Sequence, residues 1–203
     1  MKHIMVLVLM LVATGAEAQL AVRFLHFNPT GDQGILFEKR FTAEIMYMQD
    51  FANEGGSSRM RAGISYTPLK SRLDTFPSYA VQEGSGTLVL PGYEIYKKYD
   101  VISAFMGADW AVLDREPFYL FLGGDIMGGV VNMEYEAHYE TISDESFSGG
   151  MAMVGIRLRA GTQYMITDKV IVFGEVTRSF YYIEEYSFQS HYDYGIGLQY
   201  VFN

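Results

Sequence analysis

Beyond its first 18 residues the chain has three histidines, His26, His138 and His191, and it has no cysteine anywhere. Thiolate chemistry and disulfides are excluded, and scattered histidines without cysteine make a poor transition-metal set. No metal site and no cofactor are expected. Ser190-His191, and His138 with Glu140 or Ser143, set a hydroxyl or carboxylate near an imidazole, as acyl transfer requires of a nucleophile and its base. Adjacency in sequence is not a triad, and serine and histidine are ordinary loop residues. The charged residues make a stronger pattern. Arg23, Arg61, Arg157 and Arg159 stand against Glu44, Asp109, Asp125 and Glu175, four of each sign. The planar guanidinium fork can satisfy both oxygens of a carboxylate, so such a set would cross-link if one surface gathered it.

The elements that would gather it are strands. In Tyr192–Phe202 the residues Tyr192, Tyr194, Ile196, Leu198, Tyr200 and Phe202 share one face, while Asp193, Gly195, Gly197, Gln199 and Val201 share the other. Residues 151–166 repeat this, with Ala152, Val154, Ile156 and Leu158 on one side and Gly155, Arg157, Arg159 and Gly161 opposite. Sixteen Tyr, fourteen Phe and twenty-one Gly with five Pro favour strands and tight turns over helices. Short turns fall at 53–58, 114–117 and 167–169, and longer loops at about 28–34, 71–97, 138–149 and 183–191. This rhythm predicts eight strands, near 20–27, 35–49, 59–70, 98–113, 118–137, 151–166, 170–182 and 192–202. One face would meet lipid and the other a polar lumen. The predicted fold is all-β, an eight-stranded antiparallel up-and-down transmembrane barrel with a plugged polar lumen and both termini in the periplasm.

Aromatic residues give a second line of argument, because amphipathic rings collect at membrane interfaces. On the predicted lipid face, Tyr47, Trp110, Phe118, Tyr164, Tyr200 and Phe202 lie toward the short turns. Phe37, Tyr66, Phe180, Tyr182 and Tyr192 lie toward the long loops. A soluble sandwich or lipocalin-like barrel would also alternate, but it would not need aromatic belts at both strand ends together with arginines on the polar face. Arg178 departs from the rule by falling on the lipid face, which calls for either a place near the interface or a bulge that shifts the register.

Before the first strand, Lys2 and His3 precede the apolar run from Ile4 to Val12, and Ala16-Glu17-Ala18 ends in a small-x-small pattern. These features predict a signal peptide over 1–18, cleaved before Gln19, leaving one barrel domain over 19–203. The net charge of -9 argues against a nucleic-acid partner.

With its secretion signal, alternating strands, turn-and-loop rhythm and terminal Tyr200-Val201-Phe202, the chain resembles the small eight-stranded outer-membrane barrels of the OmpA and OmpX kind. The resemblance implies the outer membrane of a Gram-negative bacterium, contact with its lipid, and barrel-assembly machinery that reads the C-terminal strand. The chain departs from the family in that Asn203 follows the terminal Phe202. These motifs are architectural and leave the function open.

A lumen that side chains can fill, with balanced charge, reads as closed rather than conducting. Function is then expected at the outer loops, where Glu136, Glu140, Asp144, Glu145, Glu184, Glu185 and Tyr186 are candidates for recognising a partner. Acidic loops also simply keep a surface solvated. The second loop, with Thr87-Leu88-Val89-Leu90 and Tyr93 to Tyr96, could project as a hairpin with an open edge. The reading is a non-enzymatic barrel whose loops mediate adhesion or attachment to a larger envelope protein complex, through the loops or the barrel wall. The alternative is a lipid-modifying acyl hydrolase or transferase, or a narrow channel.

Overall fold

Period-two alternation continues without a break across long stretches, and each stretch becomes a strand. A computed structural model describes residues 18–30, 34, 36–53, 56–82, 88–139, 143–184 and 186–202. Its strands are β1 (Ala18–Pro29), β2 (Arg40–Asn53), β3 (Gly56–Leu69), β4 (Phe76–Gln82), β5 (Leu88–Arg115), β6 (Phe118–Tyr139), β7 (Glu145–Thr167), β8 (Val170–Ile183) and β9 (Tyr186–Val201). The predicted signal segment falls outside the described residues, apart from Ala18.

Eight of these strands close a ring in the order β1-β2-β3-β5-β6-β7-β8-β9, every pair antiparallel, with β9 returning to β1 from Gln19↔Val201 to Pro29↔His191. Closure leaves no sheet edge inside the membrane, where an unpaired backbone group would cost several kcal/mol. Among the described residues no helix is long and apolar enough to cross a membrane. The crossing is made by strands.

The ninth strand is additional to the ring. β4 pairs with Leu88–Glu94 of β5, above the point where Leu69 of β3 meets Tyr99. β5 is 28 residues long, β6 is 22 and β7 is 23, whereas about 9–11 residues cross a membrane. These strands therefore rise well beyond the bilayer as an arm with β4 at its side.

Several predicted boundaries are corrected by this arm. The span 71–97 holds β4 and the start of β5 instead of one long loop, with Thr87 outside the described residues. The third loop shrinks to 140–144, and the fourth to 184–185, because Ile183 pairs with Tyr186. Charged, solvated residues looked like loops, but a hydrogen-bonded ladder continues in water as readily as in lipid. Cross-strand rings reinforce it: Tyr96, Tyr135 and Phe147 face one another across β5, β6 and β7 at 5.7 and 5.5 Å.

Phe37 is a correction of a different kind. It was expected on the lipid-facing belt, yet it is 1 % exposed and packs on Tyr99 at 4.3 Å. β2 begins only at Arg40, and Phe37 makes an isolated bridge to Ser71, so period-two counting does not extend to it. The apolar core thus lies inside the barrel, with Met133, Met151 and Met153 joining Phe37, Tyr99 and Tyr181 toward the long loops and Met48 and Phe173 toward the short turns. Most leucines and isoleucines of the ring strands face outward, as Ile196 does at 70 % exposure, while Leu25, Ile171 and Ile183 are buried.

A closed lumen and an outer rim

The eight charged residues picked out by spacing come from seven strands and are all buried: Arg23 on β1, Glu44 on β2, Arg61 on β3, Asp109 on β5, Asp125 on β6, Arg157 and Arg159 on β7, and Glu175 on β8. They form one connected network. Glu44 accepts from Arg23 and, across the lumen, from Arg157 at 2.5 Å. Asp125 takes both Nη2 and Nε of Arg61, at 2.5 and 2.9 Å, with Arg157 at 2.8 Å and Arg159 at 3.2 Å. Arg159 also pairs with Asp109 and lies 3.4 Å from Glu175, which pairs with Arg23 and stands 3.6 Å from Arg61.

Several of these pairs join strands that are not neighbours in the sheet. Arg61 reaches Asp125, two strands away, instead of Asp109 or Glu44. Opposite Arg61 on β5 is Gly107, and opposite Gly107 on β6 is Asp125. With no side chain at Gly107, the guanidinium passes over the strand; a Cβ there would lie 2.7 Å from the Asp125 Cα. Gly123 does the same between Asp109 and Arg159, since a Cβ would stand 2.9 Å from Arg159 Nη2. Glycine on the inner face makes room for long arginines to cross.

Phe105 and Phe121 fill the remaining space, with Arg157 4.5 Å and Arg61 5.2 Å from the first ring and Arg159 5.7 Å from the second. A cavity of about 20 Å³ beside Glu44, Arg157, His191 and Asp193 has room for about one water. Four positive and four negative groups at this packing form a cross-linked plug.

A lower polar layer was not anticipated. Arg59 pairs with Asp50 and donates to Gln163 Oε1 at 2.7 Å, and Gln19 donates to Asp50 at 2.6 Å. The signal was present, because Arg59 lies two residues before Arg61 and so shares its face.

On the outside, Tyr66, Trp110, Phe118, Tyr164, Tyr182, Tyr192, Tyr200 and Phe202 are exposed, and Tyr47 and Phe180 are half-buried on the same outward face. Phe118 and Tyr164 pair across β6 and β7 with rings 5.0 Å apart, and Tyr200 packs on Phe202 at 4.9 Å. Arg178 keeps its place on the lipid face without any bulge, opposite Leu158 and Tyr192.

The rim candidates divide between two hairpins. Glu136 pairs with Lys97, Asp144 lies 2.8 Å from His138 Nδ1, and Glu145 is exposed where β7 begins. Glu184 and Tyr186 belong to the β8–β9 hairpin, while Glu140 and Glu185 lie outside the described residues. Among the described residues, neither imidazole has a hydroxyl placed as an acyl-transfer nucleophile. Ser190 points outward to Thr30 and Arg178, whereas His191 points inward to Asp193 at 3.1 Å, because neighbours on a strand face opposite sides. His138 has Asp144 on one nitrogen and Glu136 at 3.9 Å from the other, with no hydroxyl bonded to it among the described residues. Nor do the described residues include a cluster of three His, Cys, Asp or Glu arranged for a metal ion.

An apolar, belted exterior around a charge-filled interior defines a transmembrane β-barrel of the small outer-membrane kind. Neisserial surface protein A has a similar fold, with 14 % identity and a TM-score of 0.57 over 91 % of this chain and 97 % of its own. Ail, the attachment invasion locus protein of Yersinia pestis, solved with the heparin analogue sucrose octasulfate, superimposes with a TM-score of 0.52 at 13 % identity, over 92 % of this chain and 98 % of its own. No family model matches the chain. No curated protein matches it in sequence.

Proposed function

We propose that the protein is a non-enzymatic component of the outer membrane that closes its own lumen and recognises a protein partner with the arm formed by β4 and the upper parts of β5, β6 and β7. The observation that carries this reading is the length of β5, 28 residues where about 9–11 cross the membrane. A sheet raised that far holds a fixed surface out in water, which is what recognition of a partner requires. In this reading residues 1–18 are removed, both termini face the periplasm, and the arm faces outward. Assembly machinery that reads the terminal strand would insert the barrel.

The arm carries carboxylates with rings beside them, including Glu136, Asp144 and Glu145 with Tyr93 and Phe147. Aromatic anchors within a polar rim suit a protein interface. Ail is similar in fold and was solved with a polysulfated ligand, but this chain has a net charge of -9 and an acidic rim, so a basic partner surface fits better than a polyanion. Attachment to a larger envelope complex is the function favoured.

The test trims the arm to short turns at the Leu69–Tyr99 and Met133–Gly149 pairs, which leaves the ring intact. We expect the trimmed barrel to fold and insert but to lose the subunits that copurify with the intact protein in mild detergent. Retention of every copurifying subunit and of every deletion phenotype would sink the recognition reading. A deletion strain whose lipid composition changes, with a protein that purifies alone, would point to lipid handling instead.

A further inference from the structure

Arg178 stands on the outward face level with the belt residue Tyr192, between strands whose facing residues are Leu158 and Tyr192, and the polar partner given for its guanidinium among the described residues is a hydroxyl. Its guanidinium carbon stands 3.7 Å from the centre of the Tyr192 ring and 5.2 Å from that of Phe180. Nη2 donates to Ser190 Oγ at 3.0 Å. Ser190 is itself held by Thr30, whose Oγ1 lies 2.9 Å from Ser190 Oγ and donates to the Ser190 carbonyl at 2.5 Å. These contacts fix the direction of the guanidinium edge. One of its five N–H groups is used by Ser190, and the ring contacts leave the rest of the edge pointing along the wall.

An arginine facing lipid demands a counter-charge, and at the level of Tyr192 the available one is a headgroup. A guanidinium fork matches two phosphate oxygens at once. Smooth apolar side chains, Val176, Ile196 and Leu158, cover the wall around it, as acyl chains would require. Anions dissolved in water are disfavoured by the acidic rim above, whereas a membrane amphiphile arrives from the side. We propose that Arg178, Ser190, Tyr192 and Phe180 form a wall site for the phosphate of an outer-leaflet lipid. The site rests on the membrane orientation proposed above and is independent of what the arm recognises.

Native mass spectrometry of the whole protein in nonionic detergent tests it, with bisphosphorylated lipid A and the same lipid after dephosphorylation as probes. The phosphorylated lipid should bind at least about tenfold more tightly, and Arg178→Gln should remove about that factor, the scale of a charge-assisted hydrogen bond. Equal binding of the two lipids to the wild-type protein would overturn the proposal and needs no variant. So would Arg178→Gln binding like wild type, or displacement of the lipid by millimolar inorganic phosphate, which would mark a site for free anions. If Arg178→Gln does not fold, Ser190→Ala should still weaken the phosphorylated lipid selectively, and equal weakening of both lipids would count against the site. Protease access to the arm in intact cells reports orientation separately, so a wrong orientation and an absent site give different results.

Discussion

Replacing Asp125 with Leu should lower the unfolding free energy of the barrel by about 3–5 kcal/mol, measured by urea titration in phospholipid vesicles. Leucine has the branching and heavy-atom count of aspartate with bulkier methyl groups, so Asp125→Asn, which keeps the size and removes the charge, serves as the control and should lose stability as well. Asp125 is 4 % exposed and holds Arg61, Arg157 and Arg159 within 3.2 Å. Without it the plug has four arginines and three carboxylates, and a buried guanidinium cannot shed its proton to escape. A second substitution, Arg61→Met, restores the balance and should recover most of the loss, because a buried ion pair replaced as a pair by apolar groups is often neutral. A cost below about 0.5 kcal/mol for the single variant, the range of ordinary surface changes, would mean that the network does not hold the barrel.

Ile196→Arg tests the other face and should cost about 2–4 kcal/mol in the same vesicles. Ile196 is 70 % exposed and sits four residues from both Tyr192 and Tyr200 on the same face of β9, which puts it midway between the belts. In a water-soluble barrel an isoleucine this exposed could become arginine within about 0.5 kcal/mol. Natural Arg178 shows the permitted place for such a charge, since it lies level with Tyr192 at the belt. A near-zero effect at Ile196 would contradict a lipid-facing wall.

The wall was legible in the sequence because period two is fixed by the backbone, so Ile196, Leu158 and Leu122 on one face necessarily placed Gly197, Arg159 and Gly123 on the other. The same counting brought together the eight charges of the lumen. It could not give their pairing, because arginine is long enough to cross a narrow lumen and the partner depends on which inner residues are glycine. Gly107 and Gly123 were visible as small inner residues, but the direction in which Arg61 and Arg159 pass over them is a property of three dimensions. Strand ends were read least well. Loops were inferred from polar, charged residues, while β5, β6 and β7 keep their ladders far into water. Phe37 was misplaced for a related reason, since counting by twos holds only where the chain is a strand.

The recognition role assigned to the arm depends on the lumen being closed, for an open one would supply a function of its own. Purified protein in planar bilayers tests this most directly. With four arginines and four carboxylates cross-linked around Asp125 and Glu175, the wild-type protein should insert without stable conductance steps. Large, steady single-channel steps at ordinary salt would contradict the closed lumen and return the barrel to the channels.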